Sequence, residues 1–156
     1  MRIRTLLGFG SLTAAAAALG AFATRRSVDS AWYNVELEKP PFQPPREVFA
    51  PVWTALYALM TGSVARIYEA RPSRERTRAL TLWGAQIVLN AGWPAIFFGA
   101  RRPKLALAEL GVLLATIGAY LHEARKVDRR AAAMMMPYLG WTAFATLLNE
   151  EIVRRN

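Results

Sequence analysis

Long stretches without charged side chains constrain the fold of this chain more than any other feature. Four such stretches contain no charged residue and cover positions 6–24, 48–65, 79–100 and 131–149. A fifth, at 105–121, is interrupted only by Glu109. As α-helices rising ~1.5 Å per residue, all five are about the length needed to cross a hydrocarbon layer roughly 30 Å thick. None shows the polar stripe of a water-exposed helix. The chain is therefore predicted to be an all-α membrane protein, a bundle of five transmembrane helices.

The charge pattern predicts a single membrane domain over residues 1–156. The helices are expected at about 4–24, 47–70, 77–100, 103–123 and 129–153, with a long loop at 25–46. Within that loop, the prolines at 40, 41, 44 and 45 cannot donate backbone hydrogen bonds, so this part should be extended and stiff. The other connections are short, which makes successive helices antiparallel neighbours.

The first apolar stretch has two interpretations. Arg2 and Arg4 precede it, and it ends in Ala21-Phe22-Ala23, which matches the cleavage site of a secretory signal peptide. Its uncharged run is long for the apolar region of a signal peptide, and this favours a helix that is retained in the bundle.

Composition argues against several classes of function. The chain has no cysteine, which rules out disulfides, thiolate metal sites and cysteine catalysis. His122 is the only histidine, so no histidine-based zinc site is expected and no metal site is predicted. At the end of a span, an isolated histidine is more often solvated than bound to haem iron. The net charge of +9 comes from basic residues between the apolar stretches, where they meet lipid headgroups, so no nucleic-acid partner is expected.

Two amides and two aromatic rings share one face of the third span, because Gln86, Asn90, Trp93 and Phe97 follow helical spacing. An unpaired amide costs on the order of several kcal/mol in hydrocarbon, so this face should point into the bundle. The amides of Gln86 and Asn90 would then serve either a bound ligand or hydrogen bonds between helices.

Two other spans carry similar stripes. In the fifth span a proline, an indole, a small residue and an amide repeat every four residues: Pro137, Trp141, Ala145 and Asn149. In the second span, Trp53, Tyr57 and Met60 lie near one face, just after Pro51. Some of these rings are expected in the aromatic belts at the membrane interfaces. If the three stripes face each other, they enclose a pocket with flat apolar walls, which suits a large planar ligand better than an ion.

An ion pathway is expected to carry inward-facing charges deep in the membrane. Glu109 is the one strong candidate, and it is close enough in sequence to Arg102 and Lys104 to reach toward the interface. A structural or interfacial role is therefore expected for Glu109.

An ordered set of tryptophan, proline and asparagine motifs, from about residue 30 to the carboxyl terminus, resembles the TspO/MBR family. This family includes bacterial tryptophan-rich sensory proteins and mitochondrial translocator proteins. The main matching segments are Trp32-Tyr33, Leu37-Glu38-Lys39-Pro40, Pro44-Pro45, Ala50-Pro51-Val52-Trp53, Leu89-Asn90-Ala91-Gly92-Trp93, Phe97-Phe98-Gly99 and Pro137-Tyr138-Leu139-Gly140-Trp141. Two departures concern the long loop: one extra residue lies between Trp32-Tyr33 and Lys39-Pro40, and Arg46-Glu47 stands where an aromatic residue is common.

The resemblance implies a five-helix bundle, commonly a homodimer, whose pocket lies beneath the first loop and binds porphyrins and haem-type tetrapyrroles. By position, the pocket residues it implies are Trp53, Asn90, Trp93, Trp141 and Ala145. Tyr33 resembles the loop tyrosine that closes over the ligand. The carboxyl-terminal segment lacks the tyrosine of the animal sterol-recognition motif, which argues against cholesterol as a ligand.

The favoured function is a tetrapyrrole-binding sensor, regulator or translocator in which Asn90 supplies a polar anchor. Porphyrin or haem is expected as a ligand, and no cofactor is expected to be obligatory. The complete set of ligand-binding candidates is Tyr33, Trp53, Tyr57, Gln86, Asn90, Trp93, Phe97, Trp141, Ala145 and Asn149. Lipid, a tetrapyrrole and a second copy of the chain are the expected partners, and the composition is consistent with a bacterial cell-envelope membrane.

Two alternatives stay open. The first is light-dependent porphyrin degradation, proposed for some family members, with Tyr33 and Trp141 as weak catalytic candidates; no acid–base pair in the sequence supports turnover. The second is a membrane scaffold without a dedicated ligand. In that role Gly84, Ala91 and Ala95 would let helices pack closely across a dimer interface, although the same residues suit packing within one bundle.

Overall fold

The computed structural model describes residues 2–25 and 27–156, and these form an all-α bundle without strands. The five long helices are α1 (Ile3–Arg25), α2 (Arg46–Glu69), α3 (Arg74–Pro94), α4 (Pro103–Val127) and α5 (Arg129–Arg155). Two short π-helical segments accompany them, Trp32–Glu36 in the long loop and Ala95–Gly99 directly after α3. The predicted fold class is confirmed.

Four of these helices, α1, α2, α4 and α5, are long and apolar enough to cross a membrane. The third helix falls outside this group because it begins with charged residues at 74, 75, 76 and 78 and its α-helical part ends at Pro94. The π-helical segment Ala95–Gly99 extends it, starting after a proline whose missing N–H interrupts the α-helical ladder. The chain is an integral, multi-pass membrane protein, and a third span made of α3 and this segment stays a prediction.

The outer surface of the bundle is apolar, as a lipid-facing surface requires. Leu7 on α1 is 65% exposed, Val88 on α3 is 71% exposed and Leu147 on α5 is 59% exposed. In water these side chains would lose the stabilisation of burial, whereas hydrocarbon tails solvate them without cost. The exposure of Val88 shows that α3 presents the same kind of surface as its neighbours.

The helices form a closed ring in the order α1, α2, α5, α4, α3. Each helix contacts the next one in this ring, and α3 returns to α1. Consecutive helices therefore touch, as their short connections predict, and α2 also contacts α3 across the ring. The long loop between α1 and α2 lies at the end of the bundle where α3 and α5 finish and α4 begins.

The half of the bundle away from this loop is densely packed. Its buried side chains come from four helices: Met60, Val64 and Ile67 from α2, Ala79 and Trp83 from α3, Ile117 and Tyr120 from α4, and Met135 and Tyr138 from α5. The Met134 side chain of α5 packs over Gly62 of α2, and a Cβ at Gly62 would require the end of that flexible side chain to shift. The buried Ser63 hydroxyl donates to the Ala131 carbonyl at 2.7 Å and adds a polar tie between the same helices.

Asp128 joins three helices at the packed end. Its carboxylate caps α5 by accepting from the N–H groups of Arg130 at 2.8 Å and Ala131 at 3.2 Å, and it pairs with Arg66 of α2 at 2.7 Å. Burial alone would raise the pKa of Asp128, but these hydrogen bonds and the Arg66 charge outweigh burial and lower the pKa. The ionised form of Asp128 therefore stabilises the fold.

Replacing Asp128 with alanine should lower the free energy of unfolding by about 1–2 kcal/mol, because the α5 cap is lost. Asp128→Asn keeps a capping oxygen and loses only the charge, so it should cost roughly 1 kcal/mol or less. A carboxyl group with a lowered folded-state pKa stabilises the protein above its ordinary pKa, 3.8 here, and ceases to do so as the pH falls through the folded-state value. Thermal unfolding in detergent, followed by circular dichroism, should show the gap between wild type and Asp128→Asn closing as the pH falls below 3.8, the ordinary pKa. A gap that persists in acid would contradict this role.

Candidate functional site

A partly open cavity of ≈ 680 Å³ occupies the half of the ring that faces the long loop. All five helices contribute to its lining. The second halves of α1 and α5 and the first half of α2 form part of it, and the end of α3 with the following π-helical segment forms another part. The fourth helix contributes Leu110 and Leu113. The loop covers it with Val28, Tyr33 and Gln43. The bundle is thus solid at one end and hollow at the other.

The floor of the cavity is a chain of three hydrogen-bonded side chains. The Tyr57 hydroxyl of α2 donates to Asn90 Oδ1 of α3 at 3.0 Å, and Asn90 Nδ2 donates to the Tyr138 hydroxyl of α5 at 3.0 Å. Tyr138 is completely buried. Asn90 thus accepts one hydrogen bond and donates one, and it braces three helices, while a second N–H and a second acceptor site of the amide remain. Its role as a polar anchor for a ligand stays a prediction.

Aromatic rings wall the cavity on two sides. On one side, the Trp53 ring lies 5.1 Å from Tyr57 and meets Trp141 edge-on, with centroids 6.4 Å apart and planes at 82°. On the other side, Trp93 stacks on Phe97 at 4.9 Å with an angle of 21° between the planes. Edge-to-face and offset-stacked pairs are the favoured geometries of aromatic rings, so these walls are held in place by their own contacts.

The first helix completes the wall with small side chains. Ala17, Gly20, Ala21 and Thr24 line the cavity at helical spacing. A Cβ at Gly20 would lie 3.4 Å from Pro94 Cγ, so this position is where α1 approaches the end of α3 closely. Sequence reasoning missed these residues because alanine and glycine carry no chemistry of their own. Their spacing on one face of α1 was the available signal.

Tyr33 lies at the mouth of the cavity and contacts Lys39, Gln43 and Phe98. Lys39 Nζ donates to the Tyr33 carbonyl at 2.7 Å and lies 4.3 Å above its ring, while Gln43 Nε2 donates to the Tyr33 hydroxyl at 3.0 Å. The ring also packs against Phe98, 5.5 Å away. The loop therefore carries Tyr33 over the cavity despite its extra residue.

Two further ties fasten the loop to the bundle. The Ser27 hydroxyl donates to the Phe98 carbonyl at 2.9 Å. At the other edge, the Glu38 N–H donates to Asn156 Oδ1 and Asn156 Nδ2 donates back to the Glu38 carbonyl, each at 3.0 Å. The cover of the cavity is thus attached both to the end of α3 and to the residue that follows α5.

A family model described as the TspO/MBR family matches residues 9–155 of this chain, which is almost its full length. The chain belongs to the TspO/MBR family. Its resemblance to that family is confirmed over almost its full length.

Individual relatives agree with this membership. The chain is 37% identical over 142 residues to a tryptophan-rich sensory protein of Cereibacter sphaeroides, covering 90% of this chain and 87% of the relative. It is 36% identical over 156 residues to a translocator protein of Bos taurus, covering 96% and 89%. It is also 32% identical over 128 residues to a tryptophan-rich protein TspO of Chlorobaculum tepidum, covering 81% of each chain.

The structure brings nearly all of the predicted ligand-binding residues of this TspO/MBR chain to one cavity. The residues in its lining are Tyr33, Trp53, Tyr57, Asn90, Trp93, Phe97, Trp141, Ala145 and Asn149. Gln86 is the exception, since it is completely buried one turn from Asn90 and is not in the lining. Contact of these residues with a ligand stays a prediction.

Several lining residues were not among the candidates. Phe49 meets Trp141 edge-on at 5.7 Å, and Phe144 lies 5.8 Å from the same ring. Both could have been found, because Phe49 precedes Trp53 by four residues and Phe144 follows Trp141 by three, which are helical spacings. Leu110 and Leu113 of α4 gave no such signal, because leucines occur on every face of that span.

The sequence left alternative roles open for two titratable residues, Glu109 and His122. Both carboxylate oxygens of Glu109 are closed off from solvent and have no hydrogen-bond partner among the residues that the structure describes, so no bond to Arg102 or Lys104 is formed. The structural or interfacial role of Glu109 stays a prediction. His122 is exposed near the last turn of α4, at the packed end of the bundle and away from the cavity. Its solvated interpretation fits this position.

Loss of the Asn90 brace should destabilise the bundle. Asn90→Leu would leave the buried Tyr57 and Tyr138 hydroxyls without these partners, at a cost of about 1–3 kcal/mol for each group. Tyr57→Phe removes one hydrogen bond and leaves one acceptor of Asn90 unpaired, so it should have a smaller effect. Thermal unfolding in nanodiscs should rank wild type above Tyr57→Phe and Tyr57→Phe above Asn90→Leu. Equal thermal unfolding midpoints for all three proteins would show that the hydrogen bonds of Asn90 do not stabilise the bundle.

Proposed function

We propose that this TspO/MBR protein is a membrane sensor or translocator that binds a tetrapyrrole in the cavity beneath the long loop. Family membership and relatives named as sensory and translocator proteins support the first part of this proposal. The observation that carries the second part is the cavity itself, which is lined by indole and phenyl rings from α2, α3 and α5.

Size and surface chemistry favour a large, flat and mostly apolar ligand. The cavity volume of ≈ 680 Å³ lies within the usual range for small-molecule sites, roughly 300–1,000 Å³. Trp53 and Trp141 stand nearly perpendicular to each other, so a planar ligand that stacks on one indole meets the edge of the other. A metal ion would gain little from such walls.

The cover is a loop that contacts the bundle at a few points. These are the hydrogen bonds of Ser27 and Glu38, the Tyr33 ring, and the buried Leu37, which packs with Phe97 and Ile152. Loops held in this way open at a lower free-energy cost than packed helices. Ligand exchange through the loop therefore leaves the brace and the packed half of the bundle undisturbed.

The photochemical alternative uses the same cavity, because Tyr33 and Trp141 both lie in its lining. It differs from binding in one observable. Illumination of the complex should then destroy the porphyrin absorbance faster than in a Tyr33→Phe, Trp141→Phe variant of equal occupancy. Equal rates of bleaching in the two proteins would leave binding as the function of the site.

A titration with protoporphyrin in the dark tests the proposal. Wild-type protein in nanodiscs should give a saturable shift of the porphyrin absorbance band, corrected for empty nanodiscs. Trp141→Ala should weaken the affinity roughly 5- to 10-fold, because one aromatic contact and its buried area are lost. Trp83→Phe is the matched control, since Trp83 is buried against Phe9 outside the cavity lining and its replacement should leave affinity unchanged. Absorbance changes that never saturate, and that are the same in all three proteins, would mean partitioning into lipid and would sink the proposal.

A further inference from the structure

Two positively charged side chains line the mouth of the cavity. Among the described residues of the lining, Arg25 and Arg46 are the charged ones, and no acidic side chain accompanies them. Arg25 is the last residue of α1 and Arg46 is the first residue of α2, so the two lie at the helix ends that the long loop connects. The cavity therefore carries positive charge at its mouth, whereas its floor and aromatic walls are neutral.

The long loop keeps the two arginines close to each other. Arg46 Nη2 donates to the Val28 carbonyl, and Val28, which is itself in the lining, follows Arg25 by three residues. Three residues span at most about 11 Å, so the contact with Val28 holds Arg46 near the end of α1. Both guanidinium groups can therefore reach the same ligand.

Both guanidinium groups keep hydrogen-bond donors for a ligand. Each guanidinium has several N–H groups, and Arg46 shares its own with the Val28 carbonyl and with Asp29, 3.4 Å away. The side chains of the Arg46–Asp29 pair are 56% and 80% exposed, so this ion pair is weak. Arg25 is exposed, and its side chain forms no hydrogen bond or ion pair with the described residues. Both arginines are accessible to a ligand without rearrangement of the bundle.

Positive charge at the mouth and aromatic rings below it match a ligand with two unlike edges. An apolar ring system would stack on the indoles of Trp53 and Trp141, while acidic side chains at one edge would lie at the mouth. Guanidinium groups bind carboxylates through charge-assisted and often paired hydrogen bonds. Carboxylates at the mouth would also keep part of their contact with water, which avoids the full cost of burying a charge.

We propose that Arg25 and Arg46 form a carboxylate-binding subsite at the mouth of the cavity. Each guanidinium takes one carboxylate of a tetrapyrrole that has two acidic side chains on one edge. The ligand is thereby oriented with its acidic edge at the mouth and its apolar edge toward the Asn90 brace. This inference rests on the proposed tetrapyrrole function and assigns to these two residues the orientation and the charge preference of that site.

Protoporphyrin and its methyl esters test the subsite on one macrocycle. Protoporphyrin has two free carboxyl groups, its monomethyl ester has one and its dimethyl ester has none. At pH 7.5 the free groups are ionised, because the ordinary pKa of a carboxyl group is about 4. Wild-type protein in phosphatidylcholine nanodiscs should bind the three probes in that order, with steps of about 3- to 10-fold, as expected for a charge-assisted contact at a partly exposed site. Each affinity is corrected with empty nanodiscs, because the probes enter lipid to different extents.

Charge-removing variants should act on the acids and not on the diester. Arg25→Gln and Arg46→Gln should each weaken protoporphyrin about 3- to 10-fold and leave the dimethyl ester unchanged, and the double variant should bind all three probes alike. Arg102→Gln is the matched control, because Arg102 is exposed at the same end of the bundle, directly before α4, but lies outside the lining. It should change none of the three affinities.

The outcomes distinguish the subsite from the function on which it rests. Saturable binding in which wild type does not discriminate among the probes, or in which the double variant keeps the wild-type order, overturns the subsite and leaves the tetrapyrrole site standing. The same holds if Arg102→Gln weakens protoporphyrin as much as Arg25→Gln does, because the effect then belongs to general surface charge. No saturable binding of any probe overturns both proposals.

The fold and the cavity of each variant are checked by circular dichroism and by its affinity for the dimethyl ester. If Arg46→Gln disturbs the loop by losing the bond to Val28, it weakens the ester as well. Arg46→Lys then makes the comparison, since it keeps the positive charge and should retain the wild-type order of the probes. The Arg25→Gln arm is independent of that bond.

Discussion

The hydrogen-bonded chain from Tyr57 through Asn90 to Tyr138 separates the two halves of this protein. On one side of it, side chains from α2, α3, α4 and α5 fill the ring, whereas on the other side the same helices enclose a cavity. A five-helix ring with an open centre would collapse if nothing held its walls apart, because dispersion contacts favour close packing. The amide and the two phenols fix the distances between three helices at the depth where packing ends, and they do so with groups that hydrocarbon cannot solvate.

The membrane explains why the remaining parts look as they do. With apolar solvent outside, large hydrophobic side chains are as stable on the surface as in the core, so the inside is marked by small and polar residues. This is seen in α1, whose inner face carries alanine, glycine and threonine while Leu7 and Phe22 point outward. It is seen again in α3, where Gln86 and Asn90 are buried and Val88 between them is exposed.

The fold and much of the site could be predicted from sequence, and the misses have physical causes. Uncharged runs located the helices, and the aromatic and amide stripes found most of the cavity lining, because helical spacing places such residues on one face. The hydrogen bonds of Asn90 to Tyr57 and Tyr138 could not be predicted, since the same amide suits a ligand or a neighbouring helix and the sequence does not show which side chains lie beside it. The surroundings of the Glu109 carboxylate likewise depend on residues near it in space, which its distance along the chain from Arg102 and Lys104 does not reveal. The third span was predicted as one helix, and nothing in its hydrophobic pattern marks the change to π-helical geometry after Pro94.

The reciprocal bonds between Glu38 and Asn156 have a consequence for communication across the membrane surface. The cover of the cavity and the end of α5 form one mechanical unit, so the loop cannot lift without either breaking these two bonds or drawing the helix end with it. Any movement of the loop at Glu38 is therefore coupled to Asn156 and the last turn of α5, on the opposite side of the bundle from α1.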